Sequence, residues 1–296
     1  MVNDGSTDET ATVVERVPGV RLINQLNSGP AAARNRGVTE ACGSIILFTD
    51  DDCVPTPNWI EAMLRPFQDP EVVGAKGVYR THQRSVAARF VQVEYEDRYH
   101  MMARLADIDF IDTYSAAFRR DRFLEVGGYD TSFPVACAED IELSYRMAAR
   151  GWRMKFAPAA IVYHTHPKTF LAYFKKKYKF AFWRMLAVRK NPAKGVKDSH
   201  TPQIMKLQLL LAPVLVGAAI FDLKARPTFP VTGAVLLAFL LSTIPFVVRS
   251  SVKDPLVGLI SPVVLAARSV AQFLGVTAGV IHAWRHAPVV QKKSHA

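Results

Sequence analysis

Residues 44–55 read SIILFTDDDCVP, an apolar run that ends on three adjacent acids, Asp50, Asp51 and Asp52. Neighbouring carboxylates repel, so positive charge is expected nearby: a Lys or Arg, a metal ion, or a metal-bound phosphate. Two acids spaced D-x-D at a strand end can hold Mg²⁺ or Mn²⁺ while the ion's other positions take phosphate oxygens, because hard divalent ions favour oxygen ligands. A solvated acidic turn is the alternative. A second stretch, AEDIELSYRMAARGW, opens a helix with Glu139 and Asp140. The helix dipole favours carboxylates there, so the pair reads as a cap or as a general base for an incoming hydroxyl. A third, VNDGSTD at residues 2–8, places Asp4 at a strand end. Gly5 permits a tight turn, and Ser6, Thr7 and Asp8 can cap the next helix.

The elements that must position these acids alternate. The pattern predicts a short helix at 10–17, a strand over Val20–Asn24, and a helix within NSGPAAARNRGVTEACG, with Pro30 in its first turn and Gly43 at its stop. Ser44–Thr49 follows as a continuous apolar run, expected to be a strand covered on both faces. Then come a helix (Trp59–Phe67), a strand (Val72–Tyr79), a mixed helix over 84–106 and an extended Ile108–Phe118. A helix and a Gly-Gly turn lead to a second helix, Glu139–Arg150, capped by Gly151, and to a strand, Met154–Tyr163, ending at His164. The alternation argues for an α/β fold with a mixed, mostly parallel sheet flanked by helices, whose reactive groups lie beyond strand ends.

The 296 residues carry a formal charge of +11, and its location matters more than its size. Between Lys168 and Lys206 eleven Lys and Arg side chains face one acid, Asp198, so this stretch holds nearly the whole excess. The remainder is close to neutral, which excludes a globally basic nucleic-acid binder. Within Lys168–Lys190, Phe170, Phe174, Tyr178, Phe182 and Met185 recur at helical spacing, with the lysines expected mostly elsewhere. That pattern suits a helix in the membrane interface, meeting anionic headgroups; a soluble surface helix packed on the core is the alternative. Three apolar runs follow: Leu207–Leu223 with Pro213, Thr228–Val248, and part of Pro255–Trp284 with Arg268, which should face protein or water. The basic belt before the first run predicts a multi-pass membrane protein with its α/β part cytoplasmic. Cys42, Cys53 and Cys137 show neither CxxC nor Cys/His spacing and fit a reducing compartment, and the polar, acidic start shows no signal peptide. The divisions expected are 1–166, an α/β domain; 167–206, a basic amphipathic segment; 207–284, about three transmembrane helices; and 285–296, a basic tail.

In order, VNDGSTD, NSGPAAARNRG, FTDDDCVP, GGYD and AEDIELSYRMAARGW resemble the family 2 glycosyltransferases, which have the GT-A fold. The resemblance runs from residue 1 to about 166. It implies an inverting transfer of sugar from a nucleotide-sugar donor, with Mg²⁺ or Mn²⁺ as cofactor and a lipid-linked or envelope glycan as acceptor. It implies nucleotide-sugar contacts for Asp4, Asp50 and Asp51, and metal contact for Asp52 with Asp50. Asp140 matches the catalytic base and Glu139 the neighbour that orients the acceptor. His164 matches a further metal or phosphate contact in some relatives, with a structural role as the alternative. Two departures stand out. The family's domain begins with a strand, a helix and another strand before VNDGSTD, whereas Met1 precedes that motif directly, so a chain lacking its first β-α unit is expected. The alternative function is then an inactive, membrane-anchored binding or scaffold protein. In addition, the Q-x-x-R-W motif of processive synthases is absent; FAFWRM at 180–185 has Trp and Arg in reverse order.

Overall fold

A computed structural model describes residues 1–133 and 138–285. Cys137 and the tail lysines Lys292 and Lys293 lie outside the described residues. Strand β1 (Val2–Asp4) pairs in parallel with β2 (Ile23–Gln25), joined by helix α1 (Thr10–Glu15). Helix α2 (Pro30–Glu40) starts at the expected proline, directly after Gly29, whose φ of 87° suits a residue without a side chain. The chain continues through β3 (Ile45–Thr49), β4 (Cys53–Pro55), α3 (Trp59–Leu64), β5 (Val72–Arg80), α4 (Val86–Met102), β6 (Ser115–Arg119), α5 (Arg120–Glu125), α6 (Glu139–Ala149) and β7 (Arg153–His164).

β3 to β7 form one sheet in the order β3-β6-β5-β7-β4. It is mixed, as expected, but its pairings lean antiparallel: only β5 and β7 run in parallel, while β3–β6, β5–β6 and β4–β7 are antiparallel. The reason is β6: the connection from β5, through α4 and then the irregular residues 103–114, brings the chain back beside β5 in the opposite direction, so β6 runs antiparallel to both β3 and β5. Residues 108–114, expected to be extended, are the last part of that connection. The Ile111 amide donates to Ser144 Oγ of α6 at 3.0 Å instead of to a neighbouring strand. β3 also differs from expectation. It is an edge strand with β6 as its partner in this sheet, and Ile45–Phe48 are only half-buried. The strand covered on both faces is β5, in which Val72 to Tyr79 are all buried.

The mixed character of α4 has a structural cause: it faces the sheet on one side and the C-terminal helices on the other. Beyond β7 come α7 (Phe170–Lys190), α8 (Ala193–Val196), α9 (Gln203–Ala225), α10 (Val231–Lys253) and α11 (Pro255–Arg285). α9, α10 and α11 are long and apolar enough to cross a membrane. Arg89 of α4 makes a bidentate pair with Asp254 at 2.6 Å, and Asp97 accepts from Arg249 of α10 at 2.6 Å. Deeper in, buried Glu94 of α4 meets Arg98 (3.2 Å), Lys177 of α7 (2.7 Å) and Arg268 of α11 (2.9 Å). Arg268 therefore faces protein, as its cost in hydrocarbon requires. α11 lies along α7: a side chain on Gly275 or Gly279 would strike the carbonyls of Tyr178 or Phe182, and Arg189 reaches the carbonyl of Ala283. Close backbone approach of this kind needs small residues. The aromatic stripe of α7 is thus half-buried in protein contacts. Phe170 and Phe174 pack beside Phe90 and Tyr173, and Phe182 against His282.

Candidate active site

The acidic triplet is a tight turn. Cys53 N donates to Asp50 O at 3.1 Å, closing the chain between β3 and β4. The turn aims Asp50 and Asp52 into a cavity of about 600 Å³ that Glu139, Asp140 and His164 also line. Five of the seven residues singled out in the sequence therefore converge. Asp51 points into solvent and does not line the cavity. Asp4 does not line it either. Its carboxylate accepts from Gln25 Nε2 (2.7 Å), Ser28 N (2.8 Å) and Gly29 N (2.9 Å), at the start of α2. Burial would raise the Asp4 pKa, but these three donors outweigh it and hold it below the ordinary carboxylate value.

The positive charge that the triplet requires is Arg34, one turn into α2. Its guanidinium donates to Glu139 Oε1 at 2.6 Å and lies 3.8 Å from Asp50 Oδ1. Burial raises the Asp50 pKa; Arg34 opposes that, while Asp52 adds to it. Glu139 is almost fully buried at 2 % exposure, and its other oxygen accepts from Ala138 N at 3.1 Å. Glu139 is thus bound to Arg34 and to its own helix start, which fixes the first turn of α6.

Asp140, the next residue, accepts from Ile141 N at 2.8 Å and Thr113 N at 3.4 Å. Burial, reinforced by the neighbouring Glu139 charge, pushes its pKa up to about 7. A carboxyl poised near neutrality can take a proton at physiological pH. Below it lies Lys76, fully buried and paired with Asp112 and, at 2.6 Å, Tyr114 Oη. Burial lowers its pKa well below the ordinary lysine value.

His164 ends β7, where it pairs with Cys53 across the sheet. Its Nδ1 is 3.2 Å from Asp52 Oδ1 and 3.9 Å from Cys53 Sγ. Asp52, Cys53 and His164 offer ligand atoms within 4.8 Å of one another. Burial lowers the His164 pKa, against the pull of Asp52, so the ring is neutral and able to bind a metal at pH 7. Burial, with Asp50 and Asp52 adding, pushes the Cys53 thiol up to about 12. A thiol held protonated is a poor ligand, so the donor set that fits a hard divalent ion is Asp52 and His164, with Asp50 beside them.

The sequence reading missed Arg34, Lys76 and Cys53. Arg34 stood inside the NSGPAAARNRG motif; Cys53 shows no metal spacing because its partner His164 is supplied by another strand. Part of the basic belt lines this same cavity as well: Lys175, Lys176, Lys177, Lys179, Arg184 and Lys206.

The family described as "Glycosyltransferase like family 2" matches residues 1–180. The chain belongs to this family. Relatives include the pre-mycofactocin glycosyltransferase of Mycobacterium tuberculosis, 27% identical over 175 residues, covering 56% of this chain and 37% of the relative. Another is the poly-beta-1,6-N-acetyl-D-glucosamine synthase of Staphylococcus aureus, 25% identical over 191 residues, covering 61% of this chain and 46% of the relative. The chain therefore spans less than half the length of these two. Among solved structures, the mannosyltransferase PcManGT from Pyrobaculum calidifontis, in complex with GDP-Man and Mn²⁺, superposes with a TM-score of 0.56 at 19% identity, covering 94% of this chain and 76% of that one. That likeness establishes a shared GT-A-type fold, extended by helices beyond the sheet.

Proposed function

We propose that the chain is an inverting glycosyltransferase that moves a sugar from a nucleotide-sugar donor to a lipid-linked or envelope acceptor, with Asp140 as general base. The observation that carries this reading is the convergence of Asp140, buried and poised near neutrality, with Asp50, Asp52 and His164 in one cavity. Family membership and the GDP-Man and Mn²⁺ bound by PcManGT support it. Ile141 N and Thr113 N orient the Asp140 carboxylate, which accepts the proton of an acceptor hydroxyl as that oxygen bonds to the anomeric carbon. The bond from that carbon to the nucleoside diphosphate breaks in the same displacement, so configuration inverts. Asp52 and His164, with Asp50, would hold Mg²⁺ or Mn²⁺, which as a Lewis acid neutralises charge growing on the leaving diphosphate. Arg34 keeps Glu139, and hence Asp140, beside the metal-binding turn. Asp4 and Asp51 remain donor contacts on the resemblance alone.

The membrane reading follows from the helices. The basic residues ahead of α9 favour a cytoplasmic α/β part. α9 and α10 form an antiparallel pair whose Lys253 end returns to α4, and α11 then runs along α4 and α7. This packing supports two crossings, with α11 lying at the interface.

Titrating the full chain with UDP- and GDP-sugars, with and without Mn²⁺, tests the activity. Metal-dependent binding and release of nucleoside diphosphate are expected. Absence of binding and release with every donor in Mn²⁺ would favour the inactive scaffold instead.

A further inference from the structure

Residues 111–113 are fastened on two sides, to α6 and to β5. On the α6 side, the buried Ser144 Oγ accepts from Ile111 N at 3.0 Å and shares its own proton between the carbonyls of Asp140 (2.8 Å) and Ile111 (3.2 Å). Thr113 N, further along the segment, donates to Asp140 Oδ2 at 3.4 Å. The segment therefore meets Asp140 at its carboxylate and, through Ser144, at its backbone. On the β5 side, Lys76 Nζ pairs with Asp112 and donates to Tyr114 Oη at 2.6 Å. Tyr114 Oη lies 3.0 Å from Tyr99 Oη of α4, which extends the same network.

Lys76 stands inside β5, a strand buried along nearly all its length, and its side chain has no exposed surface. Taking an ammonium out of water is costly, and a Met would fill the same space without that cost. The pairing of β5 with β6 and β7 does not need the charge, because backbone groups make it. What the charge does is hold Asp112, and Asp112 directly precedes the residue whose amide meets Asp140.

We propose that Lys76 and Ser144 are positioning residues for Asp140: they clamp residues 111–113 from two sides, so that the Thr113 N–H stays on the Asp140 carboxylate. Neither side chain touches substrate in this role. That Asp140 acts as a base rests on the transferase reading; that its carboxyl is held in place does not. A donated N–H favours the ionised carboxyl, so releasing the clamp makes Asp140 harder to ionise. The other charged or ionisable groups that face Asp140 are Glu139 beside it, Arg34 of α2, Tyr95 of α4, Tyr129 ahead of α6 and Tyr145 within it.

The test uses the full chain in detergent and two variants that leave the net charge unchanged. Lys76→Met combined with Asp112→Asn removes both members of the ion pair and so strands neither charge. Ser144→Ala releases the other side. The ionisation of Asp140 is read by infrared titration, as the carboxyl band that Asp140→Asn lacks. Transfer from UDP- and GDP-sugars with Mn²⁺ is followed against pH in parallel. Each variant should move the midpoint of that band up by about one pH unit, the loss of one hydrogen bond to a charged group. At pH 7 kcat should fall about fivefold with KM for the donor unchanged, and most of the rate should return by about pH 9. Should one variant fail to fold, the other decides. A band that titrates as in the wild type, or a rate that falls equally at every pH, would make the clamp structural only and overturn the proposal. A shifted band in variants of a chain that transfers no sugar would remove the transferase reading and leave the clamp standing.

Discussion

Arg34 and Glu139 are 105 residues apart in the chain and meet at 2.6 Å, joining the middle of α2 to the first turn of α6. The same guanidinium faces Asp50, so one cation ties the acidic turn proposed to bind the metal to the segment that carries the proposed base. Removing one partner of a buried pair strands the other charge and costs about 3–5 kcal/mol; the partial exposure of Arg34 places the effect at the lower end. Arg34→Met should lower both the melting temperature and the transfer rate. Arg34→Lys should restore part of the stability but less of the rate, because an ammonium cannot present two fixed N–H directions. Differential scanning calorimetry together with initial rates separates the two.

Asp140→Asn should reduce transfer by about 10²–10⁴, the usual contribution of a general base, and spare nucleotide binding. The wild-type rate should rise with pH through about 7 as the carboxyl ionises. The stability effect has the opposite sign to the rate effect. A raised pKa means that the fold favours the protonated acid, so this contribution is complete below the ordinary carboxylate range and is lost as pH rises through about 7. Asn mimics the protonated form. The variant should therefore melt above the wild type at pH 8, by a few degrees for each kcal/mol or so, and the difference should shrink as pH falls. A variant that melts lower at pH 8 would remove the buried, protonated carboxyl from the account.

His164→Ala should weaken Mn²⁺ binding about tenfold or more, read from the free-ion signal in electron paramagnetic resonance. Cys53→Ser should leave Mn²⁺ affinity unchanged, since the thiol stays protonated, but should weaken binding of Cd²⁺, which favours sulfur. Equal loss of Mn²⁺ in both variants would make the thiol a ligand to the hard ion.

Gly279→Val places a branched side chain where the carbonyl of Phe182 lies. α11 should lift from α7, and with it the Arg268–Glu94 contact. The expected result is a lower melting temperature in detergent and a loss of about 1–3 kcal/mol, the usual cost of overpacking. Gly217→Ala on α9, where an added methyl meets nothing within 4 Å, is the control and should melt like the wild type.

Much of the site was legible because its acids terminate elements. Asp50 and Asp52 follow an apolar run, and Glu139 and Asp140 open an amphipathic helix. Where both neighbours along the chain are informative, local pattern suffices. Arg34 and Lys76 were not legible, since nothing local distinguishes a cation that meets a distant carboxylate from one that meets water. That the α7 lysines line the cavity was not legible for the same reason. Helical periodicity identifies the basic residues but not whether they face a bilayer or a cavity.

The sequence by itself determined the run of strands and helices, the acids that could bind metal or take a proton, the apolar helices, and the excess of positive charge between residues 168 and 206. Each of these depends on spacing along the chain. The tertiary structure alone decided which distant charges meet: Arg34 with Glu139, Asp52 with His164, and Glu94 with Lys177 and Arg268. It also decided that the basic segment turns towards the acids and that the sheet runs largely antiparallel. The physical reason is range. Periodicity and capping act over a few residues, whereas the burial that lifts the Asp140 carboxyl and the ion pairs that dock α4 to the apolar helices exist only once segments about 100 or more residues apart have excluded water between them.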